Sequence, residues 1–353
     1  MSADPETTAT AAPERTTPDP HRQVVGPDGL SPEARFFADL MTASVPPLGR
    51  EVTDAAEARR LLAANPKPDV PPLEVGSVEN RTIPGPEGAP DLPVRIYLPD
   101  PREVTGPRPT VVFFHGGGWT ICDLDSHDAT ARALCRGAGA AVVSVDYRLA
   151  PEHPFPAAVD DASAAFAWAT EHVAELGGDP EALVVCGDSA GGNIAAVTAH
   201  AARDRGLPLA LQALIYPITD VSRPWASYDR YATGYFLTAA SMHWFTRQYV
   251  APGSDPADPR VSPLRGELAG LAPAHVVTAG CDPLADEGEA YARALDEAGV
   301  PVARSHFPRM FHGFFGLAEH LDDARTALAG VTEAIAATVS DRKNSGDHGG
   351  AAG

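Results

Sequence analysis

Gly-Asp-Ser-Ala-Gly-Gly, at residues 187–192, is the stretch of this 353-residue chain that most narrowly limits its architecture. It directly follows an apolar run at 182–186 that is typical of a buried strand, and a helical pattern begins at 193. A Gly-x-Ser-x-Gly sequence between a strand and a helix predicts a sharp turn that strains the serine backbone and exposes its hydroxyl at the carboxyl edge of a sheet. The glycines on either side leave room for the strand and the helix to close around the turn. This context favours a nucleophilic Ser189 over an ordinary turn of small residues.

A second glycine-rich segment follows an earlier predicted strand. Residues 110–114 are mostly apolar, and they are followed by His115, Gly116, Gly117 and Gly118. Three glycines in a row present backbone N–H groups with no side chain in the way, as acyl transfer requires where the oxygen of its tetrahedral intermediate becomes negative. As an isolated tripeptide the segment would be interpreted as a flexible loop. Its position behind a core strand instead favours one half of an oxyanion hole, for which the residue after the nucleophile supplies the other half.

The serine needs a base and an acid, and the expected order along the chain is serine, acid, histidine. A buried-strand pattern at 274–280 is followed by Asp282, and a pattern at 302–307, interpreted as the last core strand, leads to His312. Both side chains should therefore lie on the same edge of the sheet as Ser189. His312 is expected to take the serine proton and return it to the leaving group, while Asp282 fixes the imidazole tautomer and stabilises its charged form.

Other histidines and acids are weaker candidates, because most histidines in a folded protein are surface or satisfied core residues. The histidines set aside belong to a predicted strand, a turn and the glycine loop: His306, His153 and His115. His115 and Gly116 are instead expected to hold the shape of that loop. Three acids near the predicted site are also set aside, since they fall in the next helix or point away from the histidine: Asp286, Glu287 and Asp188.

These motifs resemble those of the bacterial hormone-sensitive-lipase-like (family IV) esterases, a family of α/β-hydrolases. The resemblance covers roughly residues 75–340 in the family's order and rests on these segments: 115–119, 145–152, 155–158, 187–193, 282–288 and 312–314. It implies an α/β-hydrolase fold with a mostly parallel central sheet, flanking helices and a helical cap. It also implies that Gly117, Gly118 and Ala190 donate to the oxyanion. The charges at 146–156 are interpreted as a buried structural network that braces the glycine loop.

The resemblance also implies a serine carboxylesterase that hydrolyses short-to-medium acyl esters through an acyl-enzyme, without a metal or an organic cofactor. The expected partner is a small-molecule ester, and a homodimer formed near the last strand and helix is implied as well. Two alternatives stay open: a deacetylase or amide hydrolase that acts on a specialised metabolite, and a non-catalytic ligand-binding module on a hydrolase scaffold. The intact serine, acid and histidine argue against the binding module.

The composition argues against two classes of partner. The net charge is −20, whereas proteins that bind nucleic acids or anionic membranes need basic patches. No apolar run reaches the length of a membrane span, and the N-terminus lacks the basic and apolar regions of a secretory signal. The four cysteines show no recognisable pairing pattern. We therefore expect reduced cysteines and a cytoplasmic protein without membrane insertion.

The chain is expected to form one α/β-hydrolase core that carries a cap in two parts. Two helical patterns lie at 32–40 and 52–62, and an insertion rich in aromatic residues lies ahead of the strand that carries the acid. A minority of the cap aromatics should line the pocket, and Phe36, Phe37 and Met41 are candidates from the N-terminal part. The predicted divisions are a disordered tail at 1–23, cap at 24–72, core at 73–221, cap insertion at 222–258, core at 259–340 and a disordered tail at 341–353.

Overall fold

The structure, a computed structural model, describes residues 28–65 and 71–345, with side chains up to residue 339. The predicted tail at 1–23 lies outside these residues. The strands are β1 (Ser77–Ile83), β2 (Leu92–Leu98), β3 (Arg108–Phe114), β4 (Ala141–Val145), β5 (Gly178–Asp188), β6 (Leu211–Ile215), β7 (Ala274–Cys281) and β8 (Val302–Phe311). In the described part of the chain they form a single sheet in the order β1-β2-β4-β3-β5-β6-β7-β8.

The sheet is parallel except at its first edge. β1 and β2 pair antiparallel, as do β2 and β4, whereas every later pair is parallel. Parallel strands need cover on both faces, and β4 and β6 are accordingly buried along their whole length. The fold class predicted from the sequence is confirmed. The carboxyl ends of the parallel strands meet at one edge, where a site can form.

Nine α-helices surround the sheet in the described residues: α1 (Pro32–Ser44), α2 (Ala55–Ala63), α3 (Asp128–Ala138), α4 (Ala157–Glu171), α5 (Ala190–Arg205), α6 (Ala226–Arg230), α7 (Ala239–Tyr249), α8 (Ala285–Glu297) and α9 (Asp322–Ser345). Short 3-10 helices lie at Pro263–Arg265 and Phe314–Leu317. Side chains of β3 alternate between two cores. Val112 belongs to the core that also contains residues of α4, α5 and α8, whereas Val111 belongs to the core that also contains residues of α3 and α9. No helix in the described ranges is both long enough and apolar enough to cross a bilayer.

Two sequence expectations are wrong near the C-terminus. The strand predicted at 302–307 extends to Phe311 and is not a core strand, because it lies at the edge of the sheet and most of its side chains are exposed or half-buried. The helix α9 continues to Ser345, so the predicted tail at 341–353 begins as helix. Extending an existing helix costs little, and Arg342 and Lys343 are good helix formers.

Two separate chain segments pack together over the carboxyl edge of the sheet. α1 and α2 come from the N-terminal part, and α6 and α7 come from the insertion between β6 and β7. Asp54 and Thr238 cap the first turns of α2 and α7 with their side-chain oxygens. Trp244 of α7 is buried and donates its indole N–H to the carbonyl of Thr53 at 2.8 Å. The two segments therefore touch one another as well as the core.

Candidate active site

Ser189 lies in a sharp turn between β5 and α5. Its backbone has φ 57° and ψ −118°, a conformation that is strained for a residue with a side chain. Because β5 ends at Asp188 and α5 begins at Ala190, the turn consists of this serine alone. A Cβ atom on Gly191 would collide with the backbone carbonyl of Phe114, so the helix can approach the neighbouring strand only without a side chain there. This is the steric arrangement that the sequence predicts.

Ser189, His312 and Asp282 form a continuous hydrogen-bonded series. Ser189 Oγ lies 3.0 Å from His312 Nε2, and His312 Nδ1 lies 2.8 Å from Asp282 Oδ2. All three side chains are buried. Asp282 follows the end of β7 and His312 follows the end of β8, so neighbouring parallel strands deliver them to the same edge as the serine. With the carboxylate as acceptor at Nδ1, the Nε2 atom is left to accept the serine proton.

The second carboxylate oxygen of Asp282 is held by the backbone. Oδ1 accepts the N–H of Leu284 at 2.9 Å, and the carbonyl of Asp282 accepts the N–H of Ala285 at 3.1 Å. The start of α8 therefore fixes the carboxylate in the orientation that places Oδ2 against His312.

The acids and histidines set aside at the sequence level lie elsewhere. Asp188 turns to the glycine loop, where its Oδ1 accepts the N–H of Gly116 at 3.0 Å. Glu287 is buried in α8 and accepts two backbone N–H groups from the segment after β6, at 2.6 and 2.8 Å. His306 lies on the edge strand β8, and His153 is exposed.

The glycine loop is held by its carbonyl groups. His115 Nδ1 donates to the Gly116 carbonyl at 2.7 Å, and the Gly117 carbonyl accepts the N–H of Ile121 at 3.0 Å. Because a peptide unit is planar and trans, a carbonyl held on one side directs the following N–H to the other side. The N–H directions of Gly117 and Gly118 are set in this way. Burial lowers the pKa of His115 to about 4, so its ring is neutral at neutral pH.

Three backbone N–H groups near the serine have no acceptor in the described part of the chain. Two belong to Gly117 and Gly118, which line the cavity that Ser189 opens into. The third belongs to Ala190, the first residue of α5, where a helix leaves its N–H groups without intrahelical partners. Unpaired backbone donors are uncommon in folded proteins, so these three N–H groups are available to a ligand in the cavity.

His127 is a site residue that the sequence did not single out. Its Nε2 lies 3.4 Å from Asp188 Oδ1 and 3.3 Å from the N–H nitrogen of Gly116, and its ring borders the cavity. Burial would raise the pKa of Asp188, but favourable electrostatic interactions with nearby histidines, chiefly His127, outweigh burial and hold that pKa below its ordinary value. His127 lies in a polar stretch at 123–128 that shows neither strand nor helix periodicity, so no sequence signal marks it.

A cavity of about 810 Å³ lies over Ser189 and His312. Both cap segments supply apolar walls: Met41, Val45, Leu48, Leu62, Phe236, Leu237, Met242 and Phe245. Of the three candidates from the N-terminal cap, Met41 lines the cavity, whereas Phe36 is 62% exposed and Phe37 stacks on His320. Within the described ranges, no group of three or more His, Cys, Asp or Glu side chains is arranged to hold a metal ion.

Comparison with known proteins identifies the family. The family model for the alpha/beta hydrolase fold matches residues 111–316, more than half of the chain. Carboxylic ester hydrolase LipN of Mycobacterium tuberculosis is 47% identical over 274 residues, which are 75% of this chain and 70% of LipN. Ethyl acetate hydrolase of Pseudomonas putida is 42% identical over 248 residues, 69% of this chain and 78% of that protein. The chain belongs to the hormone-sensitive-lipase-like family of α/β-hydrolases.

Solved structures of related hydrolases share the fold over most of the chain. An ester hydrolase from the metagenome of Lake Arreo, solved with a bipyridine phosphonate derivative, has a TM-score of 0.80 and 41% identity, covering 88% of this chain and 99% of that one. The hyperthermophilic esterase of Pyrobaculum calidifontis has a TM-score of 0.77 and 38% identity, with coverage of 88% and 99%. This α/β-hydrolase therefore matches almost the whole length of both.

The stretch between β4 and α4 supports the glycine loop of this α/β-hydrolase. Tyr147 donates its hydroxyl to the carbonyl of His115 at 2.7 Å and stacks on that imidazole at 4.4 Å. Arg148 forms an ion pair with the buried Asp161 at 2.7 Å. The sequence predicts that the charges at 146–156 form a buried network, but Arg148 is half-buried. The prediction is wrong for Glu152, whose side chain is 51% exposed because it meets the cap at the surface.

Proposed function

We propose that this protein is a serine carboxylesterase that works through an acyl-enzyme on Ser189. The observation that carries the proposal is the hydrogen-bonded series of Ser189, His312 and Asp282 beneath an apolar cavity. The relatives support it, since one is named a carboxylic ester hydrolase and another an ethyl acetate hydrolase.

In the first half of the reaction, His312 Nε2 takes the proton of Ser189 as its Oγ attacks the ester carbonyl carbon. The carbonyl oxygen becomes negative, and the N–H groups of Gly117, Gly118 and Ala190 bind it. When the tetrahedral intermediate collapses, the imidazolium gives its proton to the departing alcohol and the acyl group stays on the serine. In the second half, water attacks this ester with the same base and the same oxyanion donors.

Three further residues hold the reacting groups in position. Asp282 holds the proton of His312 on Nδ1 and stabilises the imidazolium that forms during each half-reaction. His115 and Gly116 shape the glycine loop, because their hydrogen bond fixes the peptide unit that carries the N–H of Gly117.

The substrates we propose are esters with short-to-medium acyl chains. The cavity of about 810 Å³ lies within the range of small-molecule sites, and apolar side chains form much of its wall. The segments at 24–72 and 222–258 act as one cap in this proposal, since both contribute to that wall. In this proposal the cap binds the ester, and Ser189 attacks its carbonyl carbon at the carboxyl edge of the sheet.

Replacement of the nucleophile tests the mechanism. Ser189→Ala should lower kcat for a p-nitrophenyl butyrate ester by a factor on the order of 10⁶, because no other group can form the acyl-enzyme. Ser163→Ala, on the remote helix α4, is the matched control and should keep full activity. Undiminished hydrolysis by Ser189→Ala would show that the chemistry runs through another residue.

The choice of substrate separates the esterase from its alternatives. A panel of butyrate esters, the matching amides and acetylated natural products should show the highest kcat/KM for simple esters. Preference for amides or for one acetylated product would favour the amide hydrolase or deacetylase instead. A ligand-binding module would resist labelling by a fluorophosphonate at Ser189 while it still bound its ligand.

We further propose that the enzyme is a cytoplasmic homodimer joined near the last strand, β8, and the last helix, α9. β8 lies at the edge of the sheet, and an edge strand is ready to pair with another chain. All four cysteines are free, as suits a reducing compartment: Cys122, Cys135, Cys186 and Cys281. Sedimentation velocity tests the dimer, and a monomer at micromolar concentration would contradict it. Cell fractionation tests the compartment.

A further inference from the structure

Arg59, on the cap helix α2, bonds to two segments of the hydrolase core. Its Nε donates to the carbonyl of Thr120 at 2.7 Å, and its Nη2 donates to the carbonyl of Ala150 at 2.7 Å. The guanidinium also makes a two-pronged ion pair with Glu152, at 2.9 and 2.8 Å. A planar fork of donors suits this set of acceptors, which a single ammonium group could not serve together.

The carbonyl of Thr120 belongs to the turn that carries the oxyanion donors. The carbonyl of Thr120 and the N–H of Ile121 belong to the same peptide unit. This N–H donates to the carbonyl of Gly117 at 3.0 Å. This bond in turn directs the N–H of Gly118, because the Gly117 carbonyl and the Gly118 N–H share one planar peptide. Arg59 is thus linked through two peptide units to an N–H group assigned to the oxyanion.

The other carbonyls of the turn are held from within the core. The Gly118 carbonyl accepts the Thr120 hydroxyl at 2.9 Å, and the Trp119 carbonyl accepts the N–H of Ala150 at 2.8 Å. Arg59 binds the carbonyl of Ala150 as well, so it supports this second contact too. The cap therefore holds the turn at two points through one side chain.

We infer that Arg59 is a positioning residue that couples the seating of the N-terminal cap to the geometry of the oxyanion hole. The inference rests on the proposed esterase mechanism, because the hole matters only if an oxyanion forms. Arg59 acts through the backbone of the turn and not through the reacting atoms. When α2 is packed against the core, the guanidinium fixes the turn. Without the guanidinium, the peptide that carries the N–H of Gly118 loses this support.

Conservative replacement tests the coupling. Arg59→Lys keeps the charge but loses the fork, and should lower kcat for p-nitrophenyl acetate by about tenfold to a hundredfold while KM stays within about twofold. The control is Arg60→Lys on the same helix, since Arg60 is exposed and pairs with Glu57. It should leave both constants unchanged. Equal kinetics for the two variants would overturn the inference.

Two inhibitors separate positioning from direct binding, because Arg59 also borders the cavity. A trifluoromethyl ketone becomes a tetrahedral oxyanion on the serine, so its affinity for Arg59→Lys should fall in parallel with kcat. The matching alcohol forms no oxyanion and should bind as before. An equal loss for both ligands would assign Arg59 to substrate binding and overturn the inference.

A second variant covers the case in which Arg59→Lys does not fold, which thermal melting would reveal. Glu152→Gln removes the negative charge that pairs with the guanidinium of Arg59. It should also lower kcat, but by less than Arg59→Lys does. Wild-type-like kcat in Glu152→Gln would refute the coupling. Where Arg59→Lys does fold, the losses of the two single variants should not add in the double variant, since they remove one contact, and additive losses would refute the coupling as well. An inactive wild type would refute the proposed function instead, and the two failures are therefore distinct.

Discussion

Two of the residues assigned to catalysis, Asp282 and Ser189, are oriented by the backbone of a neighbouring element. Asp282 has one oxygen on His312 and the other on the first turn of α8. Ser189 is held in a strained backbone conformation by the strand before it and the helix after it. Such support places reacting groups before substrate arrives, and this preorganisation is where enzymes gain much of their rate.

Loss of the acid should weaken turnover without unfolding the protein. Asp282→Asn keeps the size of the side chain but can favour the wrong tautomer of His312, so kcat should fall by a factor on the order of 10⁴, as in other Ser-His-Asp sites. Steady-state kinetics and a thermal melt measure the two effects. Asp286→Asn is the control, because its carboxylate accepts a backbone N–H of the cap instead. A loss below about tenfold in Asp282→Asn would show that another group holds the imidazole.

The residues that the sequence predicts share one property, which is their place at the end of a strand. Ser189, Asp282 and His312 each follow a strand directly, so local patterns are enough to bring them to one edge. Arg59 and His127 reach the site through contacts between distant parts of the chain. The ion pair between Arg59 and Glu152 spans 93 residues, and no local periodicity carries that information.

Among the secondary-structure elements, the first turn of α8 joins the acid of the site to the cap insertion. Glu287 accepts the N–H groups of Thr219 and Asp220 at 2.6 and 2.8 Å, and the hydroxyl of Tyr228 at 3.1 Å. These partners lie in the segment after β6 and in α6. Burial raises the pKa of Glu287 to about 8, even though the hydrogen bonds it accepts oppose the shift.

Glu287 should make the stability of the fold depend on pH. Its ordinary pKa is 4.5 and its folded pKa is about 8, so between these values the native protein holds a proton that the unfolded chain has released. The stabilisation is complete below pH 4.5 and is lost as the pH rises through 8, at up to about 1.4 kcal/mol per pH unit.

Denaturant unfolding at about pH 5, 7 and 9 checks this sign. Glu287→Gln keeps a carbonyl for the two backbone N–H groups but does not titrate, so its free energy of unfolding should fall less over this range than that of the wild type. Parallel pH profiles for the two proteins would contradict the assignment of the proton to Glu287.

The position of β8 in the sheet is a property that its own sequence does not predict. The pattern at 302–307 predicts a strand, and a strand is found. Whether a strand is central or at the edge depends on how many neighbours pair with it, which is decided by strands far away in the sequence. The alternating exposure of β8 follows from its edge position.

For the molecule as a whole, the two cap segments and the core form one connected structure. α2 meets the glycine loop through Arg59, and α7 meets the N-terminal segment through Trp244. Side chains from both segments line the cavity. The cap should therefore contribute to the stability of the enzyme as well as to its substrate range.

Truncation of the ring that joins the two cap segments tests this contribution. Trp244 is fully buried, so Trp244→Ala should lower the free energy of unfolding by about 3–5 kcal/mol. Trp244→Phe is the matched control, since it keeps a ring but loses the hydrogen bond to Thr53, and should cost about 1 kcal/mol plus a small packing loss. Urea unfolding measures both. A cap that folds independently would instead unfold in a separate transition and leave the core midpoint unchanged.

The split cap also sets the order in which a new chain can be completed. Trp244 lies 191 residues beyond Thr53, so α2 leaves the ribosome long before the helix that covers it has been synthesised. Contacts between such distant segments form late in folding, and apolar surfaces that wait for them are open to aggregation. The N-terminal helices therefore stay without this partner on the nascent chain until α7 has emerged.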